Sequence, residues 1–302
     1  MTLRLRLLNL WLQRVEKPWL ARVPEPAEAR RSFERAARLL FPDPPGALYL
    51  EDRLGAIPAL WASAGCGTGG PEIILYFHGG GYVMGSPQTH KAMLAQLSRL
   101  TGRAACLPDY RKAPETPFPA AVEDARAAWE ALLARGYDPA RIVLGGDSAG
   151  GGLALALLCM LCRAGGDLPA GLFALSPWTD LTLSGASLDR NAEIDRLLPA
   201  NRVTELRDYY VGAADPSDPR ASPLFGRYPG CPPVFLQAAR TEILHDDVAR
   251  MAERLRAEGA RVTFDLWEDL PHVWPIFQGT LPEADAALAR VARFVDGRLT
   301  PE

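Results

Sequence analysis

Hydrophobic positions along the chain change their period near residue 47. Before it, Leu8, Trp11, Leu12 and Val15 recur at i, i+3, i+4 and i+7, and Phe33, Ala36, Ala37 and Leu40 repeat that spacing. Residues 1–45 therefore predict two helical segments, separated by Pro24 and Pro26. Beyond them, short β-prone runs alternate with helical stretches. ALYLEDRL (47–54), IPALWAS (57–63), EIILYFH (72–78), AACLPDY (104–110), RIVLGGD (141–147), GLFALS (171–176), VFLQAAR (234–240) and RVTFDLWED (261–269) predict eight strands. Helices are expected around 90–100, 120–136, 149–165, 246–259 and 283–299, the fourth opening on Asp246 and Asp247 and closing at Gly259. Such alternation predicts an α/β fold, a mostly parallel sheet flanked by helices. One stretch breaks the rhythm, from about 181 to 233, with a helical piece at TELRDYY and a Pro/Asp-rich loop after it. An insertion at that edge of a sheet belongs over the carboxyl ends of the strands. It is expected to join residues 1–45 in one helical lid over a catalytic domain spanning 46–302.

Composition narrows the class. The 302 residues are 48% hydrophobic and 23% charged, enough to bury a large core as one α/β unit or two smaller domains. Net charge is −3, the only lysines are Lys17, Lys91 and Lys112, and the arginines are scattered, which argues against a nucleic-acid surface. The apolar run Leu153–Cys162 stops at Arg163, well short of the roughly 18 residues that a membrane span needs. Arg4, Arg6, Asn9 and Gln13 interrupt the Leu-rich start, so it does not read as a signal peptide, and a cytoplasmic protein is expected. Five cysteines (Cys66, Cys106, Cys159, Cys162, Cys231) are too few and odd in number for a disulfide framework. Cys159 and Cys162 form a CxxC inside an apolar run and read as small buried hydrophobes.

Two motifs carry chemistry. Gly146-Asp147-Ser148-Ala149-Gly150 is a G-x-S-x-G directly between a strand-like run and a long helix. There a serine stands on a sharp turn with a helix N-terminus behind it. No Lys-Ser/Thr follows the glycines, which excludes a phosphate loop. YFHGGGYVMGS (76–86) follows another strand, and its consecutive glycines let the main chain curl around an oxyanion. Gly79, Gly80, Gly81 and Ala149 are the candidate oxyanion-hole residues. His78 reads as a brace for that loop, and Asp147 as support. HDD at 245–247 makes a poor metal site, because three consecutive side chains do not converge on one ion.

With both motifs in this order, the chain resembles the hormone-sensitive-lipase-like branch of the α/β-hydrolases, the bacterial family IV carboxylesterases. DYRKAPETPFPAAVED (109–124) is similar to the family's DYRLAPExPFPAA segment, and SPWTDLT (176–182) and DLPHVWPIF (269–277) match as well. The likeness spans roughly residues 45–295. It implies Ser148 as nucleophile and His272, in the loop after the last strand, as base. The acid departs from the family pattern. Many relatives carry x-Asp-Pro-Leu-x-Asp where this chain has ARTEILHDD (239–247), so Glu242 takes the acid's place, with Asp246 and Asp247 as alternatives. Asp109, Arg111, Glu123 and Asp124 are expected to form an ion-pair network holding the glycine loop. Trp11, Leu12, Leu197, Leu198 and Tyr209 are the expected pocket lining.

The implied activity is cofactor-free hydrolysis of short- to medium-chain carboxylic esters through an acyl-enzyme. An amidase or deacetylase on the same triad is the alternative, and the presence of His272 argues against a non-catalytic binding protein. The implied partners are a small ester and a second copy of the chain, paired through the edge strand near 261–269.

Overall fold

Strands buried on both faces read as near-continuous apolar runs, as the central runs picked out above do, whereas the runs at 47–54 and 261–269 carry charges and are partly exposed. In the computed structural model, which describes residues 2–23, 25–65 and 70–299, all of these runs form one eight-stranded sheet. Pro24 and Cys66 lie outside the described residues. The strands are β1 (Ala47–Leu54), β2 (Ile57–Ala64), β3 (Ile73–Phe77), β4 (Ala104–Pro108), β5 (Ile142–Asp147), β6 (Gly171–Leu175), β7 (Val234–Ala239) and β8 (Val262–Trp267). Their order is β1-β2-β4-β3-β5-β6-β7-β8. The β1–β2 and β2–β4 pairs are antiparallel, and every later pair is parallel.

Alternation along β3 divides the core. Ile73, Leu75 and Phe77 face one apolar cluster, with α5 (Ala120–Ala134), α6 (Ser148–Ala164) and α9 (His245–Ala257). Ile74 and Tyr76 face the other, with α4 (Pro87–Thr101) and α10 (Pro282–Leu299). Cys159 and Cys162 are buried on α6, as expected of small hydrophobes. Among the described residues no helix is long and apolar enough to cross a membrane.

Helices α1 (Leu3–Trp11), α2 (Lys17–Leu20) and α3 (Pro26–Leu40) precede the sheet, and a π-helical turn, Leu12–Glu16, joins the first two. The buried face of the first segment differs from the expected one. Leu5, Asn9 and Leu12 are buried, whereas Trp11 and Val15 are exposed. Leucines occur on every side of the segment, so periodicity alone does not choose the face. The 181–233 insertion, between β6 and β7, contributes α7 (Ser187–Arg190) and α8 (Val203–Val211). Lys17 ties the two regions together, its Nζ donating to the carbonyls of Ala192 (2.7 Å) and Asp195 (2.8 Å).

Candidate active site

The strand β5 ends on Asp147, and α6 begins on Ser148, which takes a left-handed backbone (φ +50°). The turn is tight enough that a Cβ on Gly150 would lie 2.1 Å from the Phe77 carbonyl oxygen, so glycine alone fits. Among the described residues only five non-glycines have positive φ: Tyr82, Ser148, Ser176, Leu183 and Val273. Four of them flank the glycine loop, the serine, Glu242 and His272. Backbone strain of about 1–3 kcal/mol each is thus concentrated in one place.

Glu242 and His272 meet below that serine. His272 Nδ1 lies 2.7 Å from Glu242 Oε2, and both side chains are almost completely buried. The other carboxylate oxygen accepts from Ser176 Oγ (2.9 Å) and from the Ala239 N–H (2.6 Å), so the carboxylate cannot rotate freely. Burial works against a charged His272 ring, but the hydrogen bond and charge of Glu242, with Asp195 and Asp147 behind it, outweigh that and raise its pKa above the usual 6.5. Among the described residues its buried Nε2 has no hydrogen-bond partner, and it lines the same cavity as Ser148.

Asp246 stands elsewhere. In the first turn of α9 it accepts from the Ser187 N–H (2.9 Å) and pairs with Arg190 (2.7 Å) and His245 (2.9 Å). Although burial pushes the other way, those partners hold its pKa down at about 2. Asp247, buried beside Asp180, accepts from the Thr179 and Asp180 N–H groups and is likewise remote from His272.

The glycine loop requires one correction to its expected donors. The Gly79 N–H donates to Asp147 Oδ1 (2.9 Å), which also receives the Tyr76 hydroxyl (2.7 Å), so Gly79 is spent on bracing and is not an oxyanion donor. Gly80 and Gly81 remain, with Ala149 in the first turn of α6, where N–H groups have no intrahelical partner. Gly80 is at φ +122°, and a Cβ there would sit 2.2 Å from the Met84 carbonyl oxygen. His78 is buried and stacked on Tyr110 at 4.3 Å, its Nδ1 2.9 Å from the Gly79 oxygen. Burial, with Lys112 and His90 nearby, drives its pKa well below the usual value, so it is a neutral brace.

The expected ion-pair network is present but does not reach the loop. Asp109 pairs with Lys112, and Arg111 with Asp124 and Glu123. The loop is held instead by the Tyr110 hydroxyl on the His78 carbonyl (2.8 Å), the Ala113 N–H on the Tyr82 carbonyl (3.0 Å), and Arg30. From α3, Arg30 reaches the carbonyls of Val83 and Ala113, each at 2.7 Å, and forms a two-pronged pair with Glu115.

A cavity of about 210 Å³ opens over Ser148 and His272. Trp11, Leu12, Leu197, Leu198 and Tyr209 all line it, so the N-terminal helices and the insertion share its walls. Among the described residues no cluster of His, Cys, Asp and Glu is arranged to hold a metal ion.

Two polar groups had no sequence signal. Asp195, buried, accepts from the N–H groups of Leu197, Leu198 and Ile243, each at 2.8 Å, and so joins the cavity wall to the residue after Glu242. Asn191 Nδ2 donates to the carbonyls of Arg240 (2.8 Å) and Glu242 (2.7 Å). Both lie in a loop without periodicity. Ser176, by contrast, begins the SPWTDLT segment and was findable there. Asp195→Ala leaves three buried donors unsatisfied. It is expected to lower stability by on the order of 3 kcal/mol, read as a shifted denaturation midpoint; an unchanged midpoint would mean that the carboxylate does not hold these segments together.

A family model for the alpha/beta hydrolase fold matches residues 74–276. An acetyl-hydrolase of Streptomyces hygroscopicus is 37% identical over 290 residues, covering 95% of each chain. An esterase of Acinetobacter venetianus is 37% identical over 224 residues, 74% of each chain. Among solved structures, an esterase from the bacterial hormone-sensitive lipase family superposes with a TM-score of 0.92 at 38% identity, covering 99% of both chains.

Proposed function

Given that the chain belongs to the alpha/beta hydrolase fold family, in the hormone-sensitive-lipase branch of bacterial esterases, and is a carboxylic ester hydrolase, we propose that it cleaves short- to medium-chain esters through a Ser148 acyl-enzyme. The observation that carries this reading is the pair His272–Glu242. One imidazole nitrogen is fixed on a carboxylate at 2.7 Å, and the other is left unpartnered in the cavity that holds Ser148.

In the first half-reaction Ser148 Oγ attacks the ester carbonyl carbon while its proton passes to His272 Nε2. Negative charge moves onto the former carbonyl oxygen. The N–H groups of Gly80, Gly81 and Ala149 receive it, each such donor being worth about 10²- to 10³-fold in rate. As the tetrahedral intermediate collapses, His272 returns the proton to the departing alkoxide and the alcohol leaves. In the second half-reaction His272 takes a proton from water, the hydroxide attacks the acyl carbon, and as the Ser148–acyl bond breaks His272 returns the proton to Ser148 Oγ, releasing the carboxylic acid. Glu242 keeps the ring in the tautomer whose Nε2 is a base and stabilises it when charged. In sites of this kind the Ser–His bond often tightens only when substrate binds.

Short acyl groups suit the cavity, which is below the roughly 300–1,000 Å³ typical of sites for drug-sized ligands. The N-terminal helices and the 181–233 insertion form its lid. The open ladder of β8 at the sheet edge supports pairing of two copies edge to edge. A graded panel of p-nitrophenyl esters tests the substrate class: butyrate is expected to turn over far faster than palmitate, and equal rates on the two would overturn the chain-length assignment.

A further inference from the structure

The lid carries an outer face that the catalytic reading does not use. Seven of the twelve exposed large hydrophobic residues among those described fall within residues 1–45. Leu3, Leu7, Leu10, Trp11 and Val15 run along the outside of α1 and the π turn, opposite the buried Leu5, Asn9 and Leu12. Leu39 and Leu40 stand at the end of α3, Leu39 being 84% exposed. The two patches sit on the same segment of the domain. Arg4 Nη1 donates to the Thr280 carbonyl at the start of α1, while at the end of α3 Phe41 packs edge-on against Phe277 and Gln278 donates to the Pro42 carbonyl. Trp11 and Leu40 also line the cavity, so the outer apolar surface runs into the mouth of the site.

Charge singles out what this face fits. Residues 1–45 contain nine Lys and Arg against five Asp and Glu, a net +4, so with −3 on the whole chain the remainder carries −7. Of the exposed Arg6, Arg14, Arg31, Arg35 and Arg38, none makes an ion pair among the described residues. Arg4 and Arg14 lie among the exposed leucines of the first segment itself. Leucines flanked by arginines suit an interface that is apolar within and anionic at its rim, where the guanidinium groups reach outward while the aliphatic stems stay buried. A second copy placed face to face would set these arginines against their own counterparts.

We propose that the outer face of α1, with the C-terminal end of α3, seats the enzyme on an anionic phospholipid bilayer, with the mouth of the cavity against it. The helix lies on the surface and does not span it. Esters partitioned into the bilayer reach Trp11 and Leu40 without crossing bulk water.

The test reads partition rather than turnover, so it stands apart from the assignment of the catalytic residues. The full chain is sedimented with vesicles of phosphatidylcholine, with and without phosphatidylglycerol, at low and high salt. Binding is expected to the phosphatidylglycerol vesicles and to weaken with salt. Leu7→Glu with Leu39→Glu is expected to lower the partition coefficient about ten-fold or more, with unchanged turnover of a water-soluble ester when no vesicle is present. Arg35→Glu with Arg38→Glu is expected to lose the preference for phosphatidylglycerol. Equal partition into both vesicle types, or unchanged binding of the leucine variant, would overturn the proposal. So would light scattering that shows an oligomer, dissociated by the leucine variant, in a protein that does not bind vesicles.

Discussion

Replacing Ser148 by alanine is expected to lower kcat on p-nitrophenyl butyrate by about 10⁶-fold, the size of effect seen when one member of a cooperating Ser–His unit is removed. The protein should otherwise be unaltered. Among the described residues no hydrogen bond runs through the Ser148 hydroxyl, and alanine suffers the same positive-φ strain, so circular dichroism and denaturation midpoint should match the parent chain. A variant that keeps a tenth of the activity would remove Ser148 from the reaction and send the search back to other hydroxyls in the cavity.

Glu242→Gln is the second large effect, about 10⁴-fold in kcat, because an amide destroys the pattern of donors around it. The carboxylate accepts on both oxygens, from His272 on one side and from Ser176 and Ala239 on the other. Glutamine must turn its NH₂ toward one of them. Facing His272, it stabilises the tautomer protonated on the wrong nitrogen; facing Ala239, it opposes one donor with another. The pH profile separates this account from a loss of shape. Catalysis needs His272 neutral, and Glu242 raises its pKa, so the acidic limb of kcat/KM for the parent enzyme lies above the ordinary 6.5. Removing the charge moves that limb to lower pH even as the rate collapses. Asp246→Asn is the control: it disturbs a partly exposed pair with Arg190, worth at most about 1 kcal/mol, and is expected to leave both rate and profile nearly unchanged. The reverse ranking would make Asp246 the acid.

The sheet was legible because each of its strands is a short run bounded by turn residues, and the central ones, from β3 to β7, are buried throughout and apolar except at Asp147 and Gln237. That leaves little for tertiary context to override. The serine and the glycine loop were legible for a related reason: main chain that must pass within about 2 Å of where a Cβ would stand has to be written in glycine. Hydrogen-bond allocation was not legible. Nothing in HGGG says that the first glycine's N–H is claimed by Asp147, or that the loop is held by Tyr110, Ala113 and Arg30 rather than by the neighbouring ion pairs. Asp195 reaches Ile243, and Asn191 the carbonyls of Arg240 and Glu242, across long sequence separations, and no local pattern records those contacts. The inner face of α1 was misread since a helix with leucines on every side offers periodicity no contrast to work with.

Arg30 has a consequence for how this enzyme should fail on heating. It is the point at which a surface helix is riveted to the loop proposed to carry the oxyanion donors. Most residues of the N-terminal helices are exposed or half-buried, and these helices are expected to loosen first. When α3 lifts, the carbonyl of Val83 loses its anchor and Gly80 and Gly81 lose their aim, although every strand is still in place. Inactivation and unfolding then become two events at two temperatures, and the useful working range of the catalyst depends on the anchoring of its rim as well as on the strength of its core.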